Sequence, residues 1–321
     1  MAAKVVAVSG ATGQQGGATV DALLRLGGFS VRALTRDPSS NASKELAGKG
    51  VEVVRADFDD VESLKSAFQG ADAVFAVTDF WKACGLDPFK EYQQGRNLVD
   101  AAKATGVSHF LWSTLEDTRP LTKGVLEPIT GPYTVPHFDA KSEVAEYAKE
   151  QLGGKETLVI TSIFHENLLP GAAMAPNKLP DGSFILALPA GNAKTAWCAT
   201  ADIGNVAAAV IAAGPEKFGG KTVPVAGDHL TWAEVGEAIA KLTGKKVVAV
   251  TPPADAWVQQ VVGYGVPELA ARDLANMCIY YEKVGMLGPR SVEETKAVYP
   301  DVMTLEAWLT KHKDAFEKGM A

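Results

Sequence analysis

Cysteine is scarce in this chain. Cys84, Cys198 and Cys278 are the three in 321 residues. They form no C-x-x-C pair and cannot all pair with one another, which excludes a disulfide framework and fits a reducing compartment. Histidine is almost as sparse, five residues with no metal-ligand spacing among them. No apolar run reaches the ~18 residues needed to span a bilayer; the alanine-rich stretch 206–213 reads as a short buried helix. Basic residues number 31 against 38 acidic ones, a net charge of −7. The small cluster from Lys241 to Lys246 reads as a solvated helix end, so neither direct nucleic-acid binding nor membrane association is expected. The first strand already begins at Lys4, which leaves no room for a signal peptide. A soluble cytoplasmic protein is expected, with a nuclear presence left open.

Apolar residues make up 47% of the chain, ample for a buried core. The most informative stretch is Ser9-Gly10-Ala11-Thr12-Gly13-Gln14-Gln15-Gly16-Gly17-Ala18. It follows the apolar run Val5–Val8 and precedes a helical pattern, so the order is strand, glycine turn, helix. In that context a glycine motif signals dinucleotide binding. Gly10 permits the tight turn, Gly13 lets the backbone approach a pyrophosphate, and Gly16 lets the helix pack closely on the strand. The free N–H groups at the helix start then face the anion. The plainer alternative is an ordinary strand-to-helix turn. The second strand, Ser30–Thr35, is followed by Arg36, which stands 20 residues after Gly16. An NAD site usually carries an acid here. An arginine instead suits a 2′-phosphate, so NADP(H) is the expected cofactor.

Strands and helices alternate through the first half. Strands are predicted at Lys4–Ser9, Ser30–Thr35, Glu52–Ala56, Ala73–Val77, His109–Ser113 and Leu158–Ile163. Helices are predicted at Gln14–Leu26, Val61–Phe68, Pro88–Thr105 and Phe138–Gln151. This is the pattern of a doubly wound parallel sheet, a Rossmann fold. Residues 165–195 are rich in Pro, Gly and Ala and suggest an excursion from the sheet. A helix over Asp202–Ala213 and a strand over Thr222–Val225 return to it. Thr231-Trp232-Ala233-Glu234 is a capping-box pattern opening a helix that runs to Lys241. Leu305, Trp308, Leu309, His312 and Phe316 share one stripe of a last helix. The expected architecture is α/β: a nucleotide domain over 1–164, completed by about 196–226, and a smaller, mostly helical lobe from 165–195 and 227–321.

Several separated segments resemble the NmrA-like family of atypical short-chain dehydrogenases/reductases. They are Gly10-Ala11-Thr12-Gly13-Gln14-Gln15-Gly16, Thr35-Arg36-Asp37-Pro38, Val77-Thr78-Asp79-Phe80-Trp81, His137-Phe138-Asp139-Ala140-Lys141, Glu166-Asn167-Leu168-Leu169 and Ala271-Arg272-Asp273-Leu274-Ala275-Asn276-Met277. The likeness spans nearly the whole length and is strongest to the NADPH-sensing branch found in animals. It implies that the backbone from Gly10 to Gln15 holds the pyrophosphate and that Arg36 meets the 2′-phosphate. It places Asp57 and Phe58 beside the adenine, and Thr78, Asp79 and Phe80 along the adenosine and ribose path. Lys141 should reach the nicotinamide ribose. Phe164, His165, Glu166 and Asn167 should flank the nicotinamide. Each position ends a predicted strand, where ligands of open α/β sheets sit.

A conventional short-chain reductase carries a tyrosine four residues before its lysine, one helical turn away. Here Lys141 is present, but the residue four before it is His137. Tyr133 lies beyond Pro136 and cannot take that place. Ser113 and Thr114 end the fifth strand, where the superfamily's serine would lie. Three readings follow. His137 acts as the proton donor, since an imidazole can do so near neutral pH; or the acid is lost and Lys141 only binds ribose; or Lys141 alone transfers the proton, as in the isoflavone-reductase-like relatives. The lost-acid reading is preferred, because the resembled group is regulatory. The expected function is therefore an NADP(H)-binding redox sensor or regulator acting on a protein partner. The alternative is an NADPH-dependent reductase of a small carbonyl, quinone or imine. A homodimer is left open. Cys84 reads as a packed loop residue before a redox switch, and Trp81 and Trp112 as core aromatics before cleft walls.

Overall fold

The computed structural model describes residues 3–285 and 289–321. Its first half alternates as expected: β1 (Lys4–Val8), α1 (Gln14–Leu26), β2 (Phe29–Thr35), α2 (Asn41–Gly48), β3 (Glu52–Arg55), α3 (Val61–Phe68), β4 (Ala73–Ala76), α4 (Pro88–Thr105), β5 (His109–Thr114), α5 (Pro136–Leu152) and β6 (Glu156–Ile160). Then come β7 (Ile163–Phe164), a 3₁₀ turn at His165–Leu168, β8 (Asn177–Lys178), β9 (Phe184–Ala187), β10 (Thr195–Cys198), α6 (Thr200–Ala213), α7 (Pro215–Phe218), β11 (Lys221–Pro224) and β12 (Asp228–Leu230). The chain ends with α8 (Trp232–Thr243), β13 (Val247–Val250), α9 (Ala254–Gly263), α10 (Glu268–Lys283), α11 (Val292–Val298), α12 (Leu305–Lys311) and α13 (Lys313–Gly319).

Seven strands form one sheet in the order β11-β6-β5-β4-β1-β2-β3, and every pairing in it is parallel. Central strands are buried on both faces, which is why Val6-Ala7-Val8 and Val74-Phe75-Ala76, all 0% exposed, read as unbroken apolar runs. On one face α1 and α6 cross so closely that a β-carbon at Gly204 would lie 2.3 Å from the Ala18 carbonyl oxygen. On the other, α4 and α5 meet where Gly95 leaves room for Val144. Strand order reverses at β1, between β4 and β2. The crevice at that switch point is where such sheets bind ligands.

Beyond β6 the chain changes sheets. The single strand predicted over Leu158–Ile163 is two: β6 ends at Ile160, and β7 pairs in parallel with β10 in a three-stranded sheet, β12-β10-β7. The cause is at Thr161 and Ser162. The Thr161 carbonyl accepts from Arg290 Nε at 2.6 Å, and Ser162 Oγ donates to the Val225 carbonyl at 2.7 Å. A second small sheet, β13-β9-β8, takes in part of the 165–195 excursion. The helical lobe thus also contains short strands. Trp197, Trp232, Val235, Ile239, Trp308 and Phe316 lie in its core. The capping box is present at the start of α8, with Thr231 and Glu234 bonded reciprocally. The last predicted helix is broken into α12 and α13 at His312, whose ring stacks 4.2 Å from that of Trp308. Among the described residues no helix is long and apolar enough to cross a membrane.

Candidate functional site

The glycine turn is built as the spacing requires. Gly10 sits at φ +58°, a left-handed conformation suited to glycine, and its carbonyl accepts from the Gly13 N–H at 2.8 Å. A β-carbon at Gly16 would lie 2.3 Å from the Gly10 oxygen, so only glycine lets α1 approach. Ala11 is buried, whereas Thr12, Gly13 and Gln14 are exposed on the open side. The start of α1 differs from its neighbours. Ser40, Asp60 and Asp87 cap α2, α3 and α4 with side-chain oxygens. At α1 the N-cap is Gly13, with no side-chain cap and no acid in the first turn. Its leading N–H groups and its positive dipole end are left for an outside anion. Gln15 is fixed from the far side, its Oε1 accepting from Ser113 Oγ at 2.6 Å. The Ser113 hydroxyl at the end of β5 thus holds the glycine turn.

On the β2 side, Arg36 is exposed and has no hydrogen bond or ion pair among the described residues. The neighbouring Asp37 is not its partner. Asp37 accepts from Ser39 N–H and Ser39 Oγ, and those bonds hold its carboxyl below the usual carboxylate range. The guanidinium is therefore available to a phosphate. Asp57 and Phe58 follow β3 and are half-buried. The Phe58 carbonyl accepts from Asn97 Nδ2 at 2.8 Å, tying that turn to α4.

The other end of the crevice is built on α5. The helix starts at Pro136, two residues before the predicted start, with Pro in the first turn, where its missing N–H costs nothing. His137 and Lys141 consequently lie one turn apart. Trp112, fully buried, donates from Nε1 to the Lys141 carbonyl at 3.0 Å and fixes the helix against β5. Lys141 Nζ donates to Thr78 Oγ1 at 3.0 Å, to the Thr78 carbonyl at 3.2 Å and to Glu91 Oε1 at 2.5 Å. Glu91 is fully buried, and its Oε2 has no partner among the described residues. His137 Nδ1 lies 2.6 Å from Asp273 Oδ2 on α10 of the lobe. Asp273 is also fully buried, with Oδ1 unpartnered among the described residues. The bond selects the Nδ1–H tautomer when the ring is neutral. His137 Nε2 has no hydrogen bond among the described residues. Tyr133, as expected, serves elsewhere: its hydroxyl donates to Glu143 at 2.9 Å.

Three of the expected contacts point differently. Phe80 is 1% exposed and packs beside His137, ring centroids 6.1 Å apart, instead of lining an open path; Asp79 and Trp81 are the exposed residues of that turn. His165 is 0% exposed and turned into the lobe between Trp197 and Trp308. A 3₁₀ turn eclipses residues three apart, so His165 and Leu168 share the buried side, leaving Glu166 and Asn167 half-buried. Glu166 is committed as well, accepting from Thr200 N–H and Trp308 Nε1. Phe164 is half-buried at the end of β7.

Glu91 and Asp273 were not among the expected site residues. Each left a signal, since each is a lone carboxylate on the apolar stripe of its helix. Glu91 lies between Pro88 and Gly95, and Asp273 between Ala270 and Met277, at spacings of three and four.

The family model for the NmrA-like family matches residues 2–309. An NmrA-like family domain-containing oxidoreductase, hkm9 of Aspergillus hancockii, is 29% identical over 96% of this chain and 97% of its own length. Among solved structures, NmrA, a negative transcriptional regulator in complex with NADP, superposes with a TM-score of 0.79 at 21% identity, over 99% of this chain and 98% of that one. The NADPH-dependent quinone oxidoreductase QOR2 of Escherichia coli superposes with a TM-score of 0.71 at 25% identity, over 95% and 98%. With its glycine turn, its seven-stranded sheet and a family match over nearly its whole length, the chain belongs to the NmrA-like family.

Proposed function

We propose that this protein binds NADP(H) and acts as a redox sensor or regulator, with the lobe responding to occupancy of the nucleotide site. The uncapped start of α1 and the unpaired Arg36 support the cofactor, and relatives of the same fold were solved with NADP and NADPH. One observation carries the sensing role. At the nicotinamide end the site offers no tyrosine phenol, and His137 is bonded across to Asp273 of the lobe. The same helix, α10, donates from Asn276 to the Thr134 carbonyl and from Tyr280 to Glu116. A cofactor that displaces His137 therefore acts on α10 directly. Only unequal affinity for two arrangements of that contact can turn binding into a signal. The reading extends to a protein partner on the lobe, to a cytoplasmic location and to the animal sensor branch.

A reductase of small carbonyls, quinones or imines is the second reading. His137 Nε2 is without a hydrogen-bond partner among the described residues, and Asp273 fixes the ring from behind, an arrangement that suits a proton donor. Hydrogen exchange of residues 268–283, measured without cofactor and with NADPH, NADP+ or NADH, tests the first reading. Protection there should depend on NADP(H), while NADPH absorbance stays constant against a carbonyl, quinone and imine panel. Steady turnover that falls ~10²–10⁴-fold in His137→Ala would make the protein a reductase.

A further inference from the structure

We infer that Asn97 and Gln94 of α4 are positioning residues for the adenine of the cofactor: they fix the turn after β3 so that it reads the edge of the base. The inference rests on NADP(H) occupying the crevice. The residues fit that cofactor at the uncapped start of α1 and at the Arg36 guanidinium, unpaired among the described residues.

Gln94 and Asn97 are 4% and 7% exposed, on a helix whose Leu98 and Val99 are fully buried. A leucine at either position would pack there without a polar cost, whereas a buried amide must find partners. Both find them on the turn at 57–60. Asn97 Nδ2 donates to the Phe58 carbonyl at 2.8 Å, and Gln94 Nε2 donates to Asp59 Oδ1 at 3.0 Å. Each amide is oriented from its other end. Asn97 Oδ1 accepts from Gln93 Nε2 at 2.9 Å, and Gln94 Oε1 accepts from Cys84 Sγ at 3.3 Å. The two NH₂ groups are thereby turned toward the loop.

The turn has few groups left to offer. Asp57 N–H donates to Ser63 Oγ, and the Asp57 carbonyl accepts from the Asp60 N–H. Asp57 Oδ1 accepts from the Asp59 N–H at 3.0 Å. The Phe58 ring packs against the core that contains Leu98 and Val99, so it is the backbone of Phe58 that faces outward. Two groups of these adjacent residues have no hydrogen bond among the described residues: the Phe58 N–H, a donor, and Asp57 Oδ2, an acceptor. Adenine presents the complement, a ring nitrogen that accepts beside an amino group that donates. Hypoxanthine presents the reverse, a ring N–H beside a carbonyl.

Calorimetric titrations of NADPH and of its hypoxanthine analogue, in wild type, Asn97→Leu and Asp59→Ala, test the inference. Wild type should bind NADPH about tenfold or more tightly than the analogue, because the reversed edge leaves both groups of the turn unpaired. Asn97→Leu should shrink that ratio by about three- to tenfold, the scale of one hydrogen bond. Asp59→Ala alters an exposed loop residue, which keeps the fold safe, and removes the Gln94 contact. It should shrink the ratio in the same direction. The ratio of NADPH to NADH affinity, set by Arg36 on another loop, should hold its wild-type value in both variants. A merely structural role would lower affinity for NADPH and the analogue alike. An unchanged ratio in a folded variant, or no base preference in wild type, overturns the inference and leaves cofactor binding standing. Failure of wild type to bind NADPH overturns the proposed function itself.

Discussion

At the scale of single residues, the candidate site is defined as much by groups left unsatisfied as by groups that are paired. Among the described residues Arg36 is a cation without an anion, and α1 is a helix start without a side-chain cap. A charge-assisted contact to the 2′-phosphate is worth roughly 1.5–3 kcal/mol. Arg36→Ala should therefore weaken NADPH binding by about one to two orders of magnitude and leave NADH nearly unchanged, as read by fluorescence titration. Equal losses for both would make Arg36 structural. Gly13 and Gly16 separate two functions of the same turn. Gly13 has φ −99° and ψ −176°, extended backbone that any residue adopts. Gly13→Val should thus fold, with an unaltered circular dichroism spectrum, and lose NADPH binding because the side chain occupies the pyrophosphate's place. Gly16 has no such tolerance, since a β-carbon there would lie 2.3 Å from the Gly10 carbonyl oxygen, against 3.3 Å at Gly13.

At the scale of elements, α10 joins the lobe to the nucleotide domain. Asp273, Asn276 and Tyr280 lie at successive spacings of three and four, and they bond to His137, the Thr134 carbonyl and Glu116. Glu116 is held in addition by a fully buried Arg290, which donates from both terminal nitrogens at 2.8 and 2.6 Å. Arg290 and the Tyr280 hydroxyl keep the Glu116 carboxyl below the usual carboxylate range against the opposing effect of its burial. Breaking a buried pair by removing one partner leaves the other charge uncompensated, at a cost of about 3–5 kcal/mol. Arg290→Ala should lower unfolding free energy by that order in urea titrations. It should also weaken the α10 contact that the sensing reading requires. A loss below about 1 kcal/mol would show that the pair behaves like an exposed one.

At the scale of the whole molecule, buried ionisable groups make stability depend on pH. Burial pushes His165 down to about 3 and His109 down to about 4. Both folded values lie below the ordinary imidazole value near 6.5. The unfolded chain therefore binds more protons over that interval, and stability is lost as pH falls below about 6.5. Asp202 opposes them, because burial raises its carboxyl to about 6 and the folded chain takes up that proton first. His165 can be isolated by substitution. Between pH 6.5 and pH 5 it should cost wild type about 2 kcal/mol. His165→Phe, which keeps a ring between Trp197 and Trp308, should lose correspondingly less over the same interval. Parallel pH dependences for the two proteins, measured by chemical denaturation, would remove His165 as a cause.

The amino-acid sequence by itself determined the nucleotide half of this protein. Period, glycine spacing and capping residues act over a few positions. The strands from Lys4 onward, the helix Pro88–Thr105 and the turn at Gly10–Gly16 could therefore be placed from local pattern. Arg36, too, was singled out by its distance to the glycine turn. Tertiary structure decided what a side chain faces. Phe80 and His165 stand next to strand ends yet point into packed interiors, because a turn of 3₁₀ geometry and a neighbouring aromatic cluster set their direction. Glu91 and Asp273 reach the site from 50 and 136 residues away from the groups they hold. No local period encodes such a meeting. It arises only when α4 and α10 pack against α5, and a buried carboxylate must then find a partner across the interface.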